Sequence, residues 1–381
     1  MSQRLYVRGR AGRWARAGRR WVRLLARRPA PGLRVSYGWD QIPGPGDAAA
    51  GGSAKAQRLA GRFSSSPADF TLLYLGSSWL PRDLRPLLWA ARRRRAPVVL
   101  NQDGVGYPGW AGERTDEVNR PLRRALEAAD HVLYQSEFSK RAADEFLGPP
   151  RGGWEILPNA VDVHAFTPAE SPPAGGPVLL LGGDQTQAYR LELALATLAA
   201  LSPAYPDARL LVAGRLAVPV EPLVERLALQ SRVEVVGRYA QRDAPALNRR
   251  AHLLLHTKVN DPCPSTVIEA MACGLPVVYP ASGGTVELVG TDAGIGVPHP
   301  DSWERDEPPA AEALAAAVER VLANRAAYGS AARRRAVDRF ALPPWLDRHA
   351  ELFEQLARRA DPSGRPGRAE PGPYGSGRRE A

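Results

Sequence analysis

Short apolar runs alternate with longer helical patterns along this chain, in two series separated by a Pro/Gly-rich break, and this constrains the fold more than any other feature. In the first series the apolar runs are Leu33 to Tyr37, Phe70 to Leu75, Pro97 to Leu100, His131 to Tyr134 and Glu155 to Leu157. Helical periodicity lies between them at Ser53 to Arg62, Leu84 to Arg94, Glu117 to Ala129 and Ser136 to Leu147. Strands apolar on both faces, with helices between, predict parallel βαβ units. The break, PAESPPAGGP from Pro168 to Pro177, precedes a second series with strands at Val178 to Leu181, Leu210 to Ala213, Val233 to Val236, Leu253 to His256 and Val277 to Tyr279. The fold class that follows is α/β, two Rossmann-like doubly wound domains joined by a short linker. Ligands of such sheets bind beyond the carboxyl ends of the strands, so the loops after these runs are where chemistry is expected.

The formal net charge of +11 misleads if it is spread over the whole molecule. Residues Met1 to Trp39 hold eleven arginines and no acid, and the other 342 residues balance at 40 basic and 40 acidic. Basicity therefore belongs to a terminal arm and does not make the globular body a nucleic-acid binder. Between Arg10 and Arg28, Trp14, Ala17, Trp21, Leu24 and Leu25 recur at helical spacing among the arginines. That pattern describes either a basic amphipathic helix suited to an anionic membrane surface or a disordered arm. No apolar stretch approaches the roughly 18 residues that span a bilayer, and no apolar segment follows the basic N-terminus as in an export signal. The cysteines, Cys263 and Cys273, are too few for a disulfide framework, which fits a reducing compartment and a cytoplasmic location, peripheral to the inner face of the membrane if the arm docks there.

The richest loop follows the run Leu253 to His256. Pro264-Ser265-Thr266 is a helix-start signal and Gly274-Leu-Pro276 a stop, so a short helix over Thr266 to Cys273 opens onto the loop. Free N–H groups at its start, at Ser265 to Val267, favour an anion, and a diphosphate is the natural candidate. Glu269, about one turn into the helix, can accept hydrogen bonds from a ribose diol. Asp261, eight positions earlier, can bind sugar hydroxyls. The plainer alternative is that Asp261 caps a turn and Glu269 is solvated. Gly51 and Gly52 precede another predicted helix, where their amides could approach a phosphate. Lys55 and Lys258 stand out because the basic residues are 48 arginines and only three lysines. The six histidines are scattered without metal-ligand spacing, so no metal site is expected and magnesium could enter only with a nucleotide.

The run DPCPSTVIEAMACGLPVVYPASGG from Asp261, followed by VELVG, resembles the signature of family 4 glycosyltransferases with the GT-B fold. LPNAVD (Leu157 to Asp162), the Gly51-Gly52 loop and LLLGG ahead of Arg190 fall in the family's order. The resemblance covers about residues 33 to 358. Composition sets apart a basic arm over 1–32, and the resemblance implies an acceptor domain over 33–167 and a donor domain over 168–342. The segment 359–381, rich in Gly, Pro and charge with no apolar period, is expected to be a disordered tail. The resemblance also implies a helix near 343–358 that crosses back to the first domain. It further implies a retaining transferase that moves a sugar from a nucleotide diphosphate sugar to a glycan, lipid-linked or small-molecule acceptor, as in cell-envelope or polysaccharide biosynthesis, with no resident cofactor. The residues it assigns are Asp261, Arg190 and Asp103 for catalysis, and Gly51, Gly52, Gly183, Arg238, Lys258, Ser265, Thr266, Val267 and Glu269 for the donor.

Three departures qualify that assignment. The segment Asn101 to Trp110 lacks the histidine that family members often carry near the reacting sugar, leaving Asp103 or Asn101 for its place. Gly183 is followed by Asp184 and Gln185 where an arginine is usual. Asp261 stands where a glutamate is usual, a shorter arm. A catalytically weakened sugar-nucleotide-binding protein, and a module whose working part is the basic arm, are therefore the alternative function classes.

Overall fold

The computed structural model describes residues 21–25, 31–44, 47 and 51–360. Most of the basic arm and the segment 361–381 lie outside the described residues, so the amphipathic-helix and disordered-tail expectations are addressed only at 21–25, which is helical, and at 359–360, which end the last helix.

Two parallel sheets organise the chain. The first contains β1 (Val35–Ser36), β2 (Leu72–Gly76), β3 (Val98–Gln102), β4 (His131–Tyr134) and β5 (Gly153–Ile156), side by side in sequence order. The second contains β6 (Val178–Leu181), β7 (Arg209–Ala213), β8 (Val233–Gly237), β9 (Leu253–Leu255), β10 (Val277–Pro280) and β11 (Gly294–Val297), in the order β11-β10-β9-β6-β7-β8. The winding direction of the second sheet reverses between β6 and β9, which opens a crevice beyond their carboxyl ends. β11 was not foreseen, because Gly-Ile-Gly-Val is short and half glycine.

The longer helices are α1 (Gly52–Ala60), α2 (Leu84–Arg94), α3 (Thr115–Ala128), α4 (Glu137–Phe146), α5 (Ala188–Leu201), α6 (Ser265–Ala272), α7 (Ala311–Ala323), α8 (Arg325–Phe340) and α9 (Leu342–Ala360). Alternate residues of β2 point to opposite faces of the first sheet. Leu72 and Tyr74 pack with Ala56 and Leu59 of α1, while Leu73 and Leu75 pack with Leu87, Ala90 and Ala91 of α2. α3 and α4 join the α2 face through Ala125, Leu126 and Ala143. The other face is closed by α9, whose Trp345, Leu352, Phe353 and Leu356 reach back from the end of the chain onto β1 and β2. Each such apolar side chain contributes roughly 1.5–3 kcal/mol when fully removed from water.

The chain passes between the two cores at two adjoining points. Ala160 belongs to the first core and Val161, Val163 and Phe166 to the second; on the return, Phe340 belongs to the second and Trp345 to the first. Val161 and Ala341 pair there, through Val161 N to Phe340 O at 2.8 Å and Leu342 N to Val161 O at 2.9 Å. Apolar residues ahead of the Pro/Gly-rich stretch already pack in the second domain, and the stretch itself leads into β6.

Candidate functional site: the interdomain cleft

A cleft of about 1050 Å³ lies between the carboxyl ends of the two sheets. Its second-domain floor is the switch point. Gly182 and Gly183 follow β6, Gly214 follows β7, and His256 to Glu269 follow β9. Gly183 adopts φ +81°, and a Cβ on Gly214 (φ +117°) would lie 2.2 Å from Gly183 O. Side chains are excluded at that crossing, which leaves open backbone where a flat or phosphorylated ligand can approach. Ser265 and Thr266, at the start of α6, present first-turn N–H groups that have no acceptor within the helix.

Val267 does not join them. Its N–H donates to Pro264 O at 3.1 Å and its side chain is fully buried in the second core. Gly52 is likewise withdrawn. Its N–H donates to Ser78 Oγ at 2.8 Å, and an added Cβ would meet Trp79 Cβ at 2.8 Å and Gly76 Cα at 3.3 Å. Gly52 therefore packs α1 onto β2, while Gly51, at φ +53°, lines the cleft.

Asp261 sits in the middle of the cleft wall, its Oδ2 3.3 Å from Lys258 Nζ and 3.5 Å from His256 Nε2. Burial pushes its carboxyl up, but Lys258, His256 and Arg190 outweigh that and hold it below the usual carboxylate range. Burial lowers His256 to about 3, with Arg190 and Lys258 acting in the same direction and Asp261 opposing. A neutral imidazole at 3.5 Å is not an ion pair, so Lys258 is the close cationic partner of Asp261. The loop Ser282-Gly283-Gly284 fixes the Asp261 backbone from behind. Gly284 N donates to Asp261 O at 2.9 Å, and a Cβ on Gly284 would stand 1.9 Å from Pro262 O, so no side chain fits there.

Arg190 is buried, donates from Nη1 to Asp184 O at 2.7 Å, and keeps Nε without a partner. Asp184, which stands where an arginine was expected, pairs with Arg215 Nη2 at 2.6 Å. Burial pushes the Asp184 carboxyl up, but the bonds and charge from Arg215 take it below its ordinary value. Arg190, Arg215, Arg238 and Lys258 all line the cleft. Arg215 was not singled out from the sequence, because one arginine among 48 carries little information.

Glu269 is buried, accepts from Gln241 Nε2 at 2.7 Å and stands 3.6 Å from Arg58 Nη2 of the first domain. Burial raises its carboxyl, with Arg58 and Gln241 opposing. Across the cleft, Asp103 follows β3. Its Oδ2 pairs with Lys55 Nζ at 2.9 Å and accepts from Ser78 Oγ, its N–H donates to Ser77 Oγ at 2.8 Å, and its buried Oδ1 has no partner. Asp103 therefore faces the second domain's anion-seeking loop as a carboxylate held by an almost fully buried lysine.

Several bonds join the domains around the cleft. Ser136 Oγ donates to Pro262 O at 2.7 Å, and Asn159 Nδ2 donates to Cys263 O at 2.7 Å. The Glu287 carboxylate accepts from Glu137 N and Phe138 N at the start of α4. Trp303, beyond β11, packs on Tyr107, Phe138 and Phe146. Nothing periodic in the sequence marks these contacts. Among the described residues, no group of three or more His, Cys, Asp or Glu could hold a metal, and no helix is long and apolar enough to cross a membrane.

Comparison with known proteins agrees with this geometry. Residues 168–337 match the family model of glycosyl transferases group 1. One chain of the phosphatidylinositol N-acetylglucosaminyltransferase of Arabidopsis thaliana is 26% identical over 202 residues, 52% of this chain and 45% of that protein. Its Homo sapiens namesake is 26% identical over 188 residues, 48% of this chain and 38% of its own length. The match thus spans less than half the length of these relatives. Among solved structures, sucrose-phosphate synthase from Thermosynechococcus elongatus superposes with a TM-score of 0.63 at 21% identity, covering 76% of this chain and 74% of that one. Anabaena Alr3699/HepE in complex with UDP-glucose gives 0.61 at 20% identity, with 79% and 81% covered. Residues 168–337 are thus similar to the glycosyl transferases group 1 domain, and the two parallel-sheet domains have the GT-B fold of these solved structures.

Proposed function

We propose that the chain is a retaining glycosyltransferase, of family 4 by its motif, that moves a sugar from a nucleoside diphosphate sugar to a lipid-linked acceptor at the cytoplasmic face of a membrane. One observation carries this reading: glycine backbone, the α6 N–H groups and the Asp261 carboxylate converge at the switch point of the second sheet, opposite Asp103. The diphosphate lies against Gly183, Ser265 and Thr266, with Arg190, Arg215, Arg238 and Lys258 supplying positive charge where the leaving group gathers negative charge. Glu269 takes the ribose, Asp261 the sugar hydroxyls, and the free Oδ1 of Asp103 a further hydroxyl on the first-domain side. The bond from sugar C1 to the diphosphate oxygen breaks, the acceptor oxygen bonds to C1 on the vacated face, and its proton passes to the departing phosphate oxygen. A uracil base is favoured because the HepE structure holds UDP-glucose, and a lipid acceptor because the curated relatives are named for phosphatidylinositol.

A thermal-shift panel of nucleoside diphosphates and their sugars tests donor binding. UDP and UDP-sugars at about a hundredfold above their Kd should stabilise the fold by about 2.7 kcal/mol, visible as a raised Tm. A flat panel would remove the donor-site reading.

A further inference from the structure

A second surface lies on the far side of the first domain from α1. Among the described residues, eight large hydrophobic side chains are exposed, and three of them, Val22 (66%), Leu25 (61%) and Trp89 (37%), gather on one patch. The helical residues 21–25 are pinned there. Leu24 is buried in the core with Leu84 and Leu87 of α2, Leu24 O accepts from Arg94 Nη2 at 2.8 Å, and the Trp21 ring lies 4.8 Å from that of Trp89.

The charge of the patch is predominantly of one sign. α2 contains no acid, and its exposed side bears Arg85, Trp89, Arg92 and Arg93, with Arg82 before it and Arg95 after it, spaced to share one face. Of the acids nearby, Asp83 is half-buried ahead of α2 and Asp40 pairs with Arg23. Arg93 lies over the Trp89 ring at 5.7 Å. In the sequence, residues 1–20 hold seven arginines and no acid.

We propose that this face of α2, with residues 21–25, docks on an anionic lipid bilayer. Exposed arginines suit lipid phosphates, Trp21 and Trp89 suit the headgroup level, and Val22 and Leu25 gain by entering the acyl boundary. Those aliphatic side chains distinguish a bilayer from a nucleic acid, to which they offer nothing. α2 begins beyond the carboxyl end of β2, where Leu80 lines the cleft, so docking brings the first-domain rim of the cleft to the surface. Delivery of a lipid-linked acceptor along that rim rests on the proposed transferase reading; docking itself does not.

Vesicle flotation of the full chain tests the surface, using phosphatidylcholine alone and phosphatidylcholine mixed with phosphatidylglycerol. The wild type should float with the mixed vesicles only. The triple variant Arg85→Glu, Arg92→Glu, Arg93→Glu should bind them about a hundredfold more weakly. The double variant Val22→Asp, Leu25→Asp should lose about tenfold or more. Both variants should keep the wild-type Tm and its response to UDP-sugar, which separates failure of docking from failure of the donor site. Full-strength flotation of the triple variant, or double-stranded DNA that displaces the wild type from vesicles and binds the double variant equally well, would overturn the proposal.

Discussion

Asp261→Asn should leave nucleoside diphosphate binding within a few-fold of wild type while transfer falls by about 10²–10³-fold, the usual cost of removing a group aimed at the reacting centre. Asparagine keeps the shape of the side chain but removes its charge. The charges of Lys258 and Arg190 oppose its burial and hold the wild-type carboxylate below the usual range. His256 is neutral near pH 7, since burial takes it to about 3, so Lys258 and Arg190 are the cations the variant leaves without their carboxylate. Both can turn to a bound diphosphate, so nucleotide affinity survives. Calorimetry with UDP, alongside product formation from UDP-sugar, separates the two quantities. Parallel loss of both would place Asp261 on the nucleotide instead of the sugar.

Glu269→Ala should do the converse and weaken nucleotide binding itself, by about 1.5–3 kcal/mol, the range for a hydrogen bond to a charged group. Glu269 also meets Gln241 and Arg58, so alanine removes a contact between the domains as well. Glu269→Gln separates these roles, because an amide can still bond Gln241 and a ribose hydroxyl but cannot balance the Arg58 charge. The glutamine variant should retain most of the UDP affinity measured by calorimetry. Unchanged affinity in both variants would confine Glu269 to joining the domains.

Much of the fold was legible because parallel strands must be apolar on both faces. Runs such as Val178 to Leu181 coincide with β6 for that reason. Packing across the molecule was not legible. Val161 and Ala160 are adjacent and both apolar, yet they lie in different cores, and no local pattern tells them apart. In the site, Asp261, Ser265, Thr266 and Glu269 were readable because they share one contiguous loop and helix. The N–H groups of Val267 and Gly52 donate to Pro264 O and Ser78 Oγ, acceptors that local spacing does not reveal. Arg58 and Trp303 went unseen because each acquires its partner only when the two domains face each other. Lys55 and Ser78 fix the Asp103 carboxylate in the loop that lacks the histidine, a contact that the spacing does not show.

The most direct test of the central claim is UDP release from a UDP-sugar panel by the purified chain, with a phosphatidylinositol-type lipid presented in mixed vesicles. The account predicts that one UDP-sugar yields UDP and a glycolipid of unchanged anomeric configuration in equal amounts, and that Asp261→Asn yields neither at a comparable rate. Tight UDP binding by the wild type without UDP release from any sugar nucleotide, with or without acceptor, would contradict it.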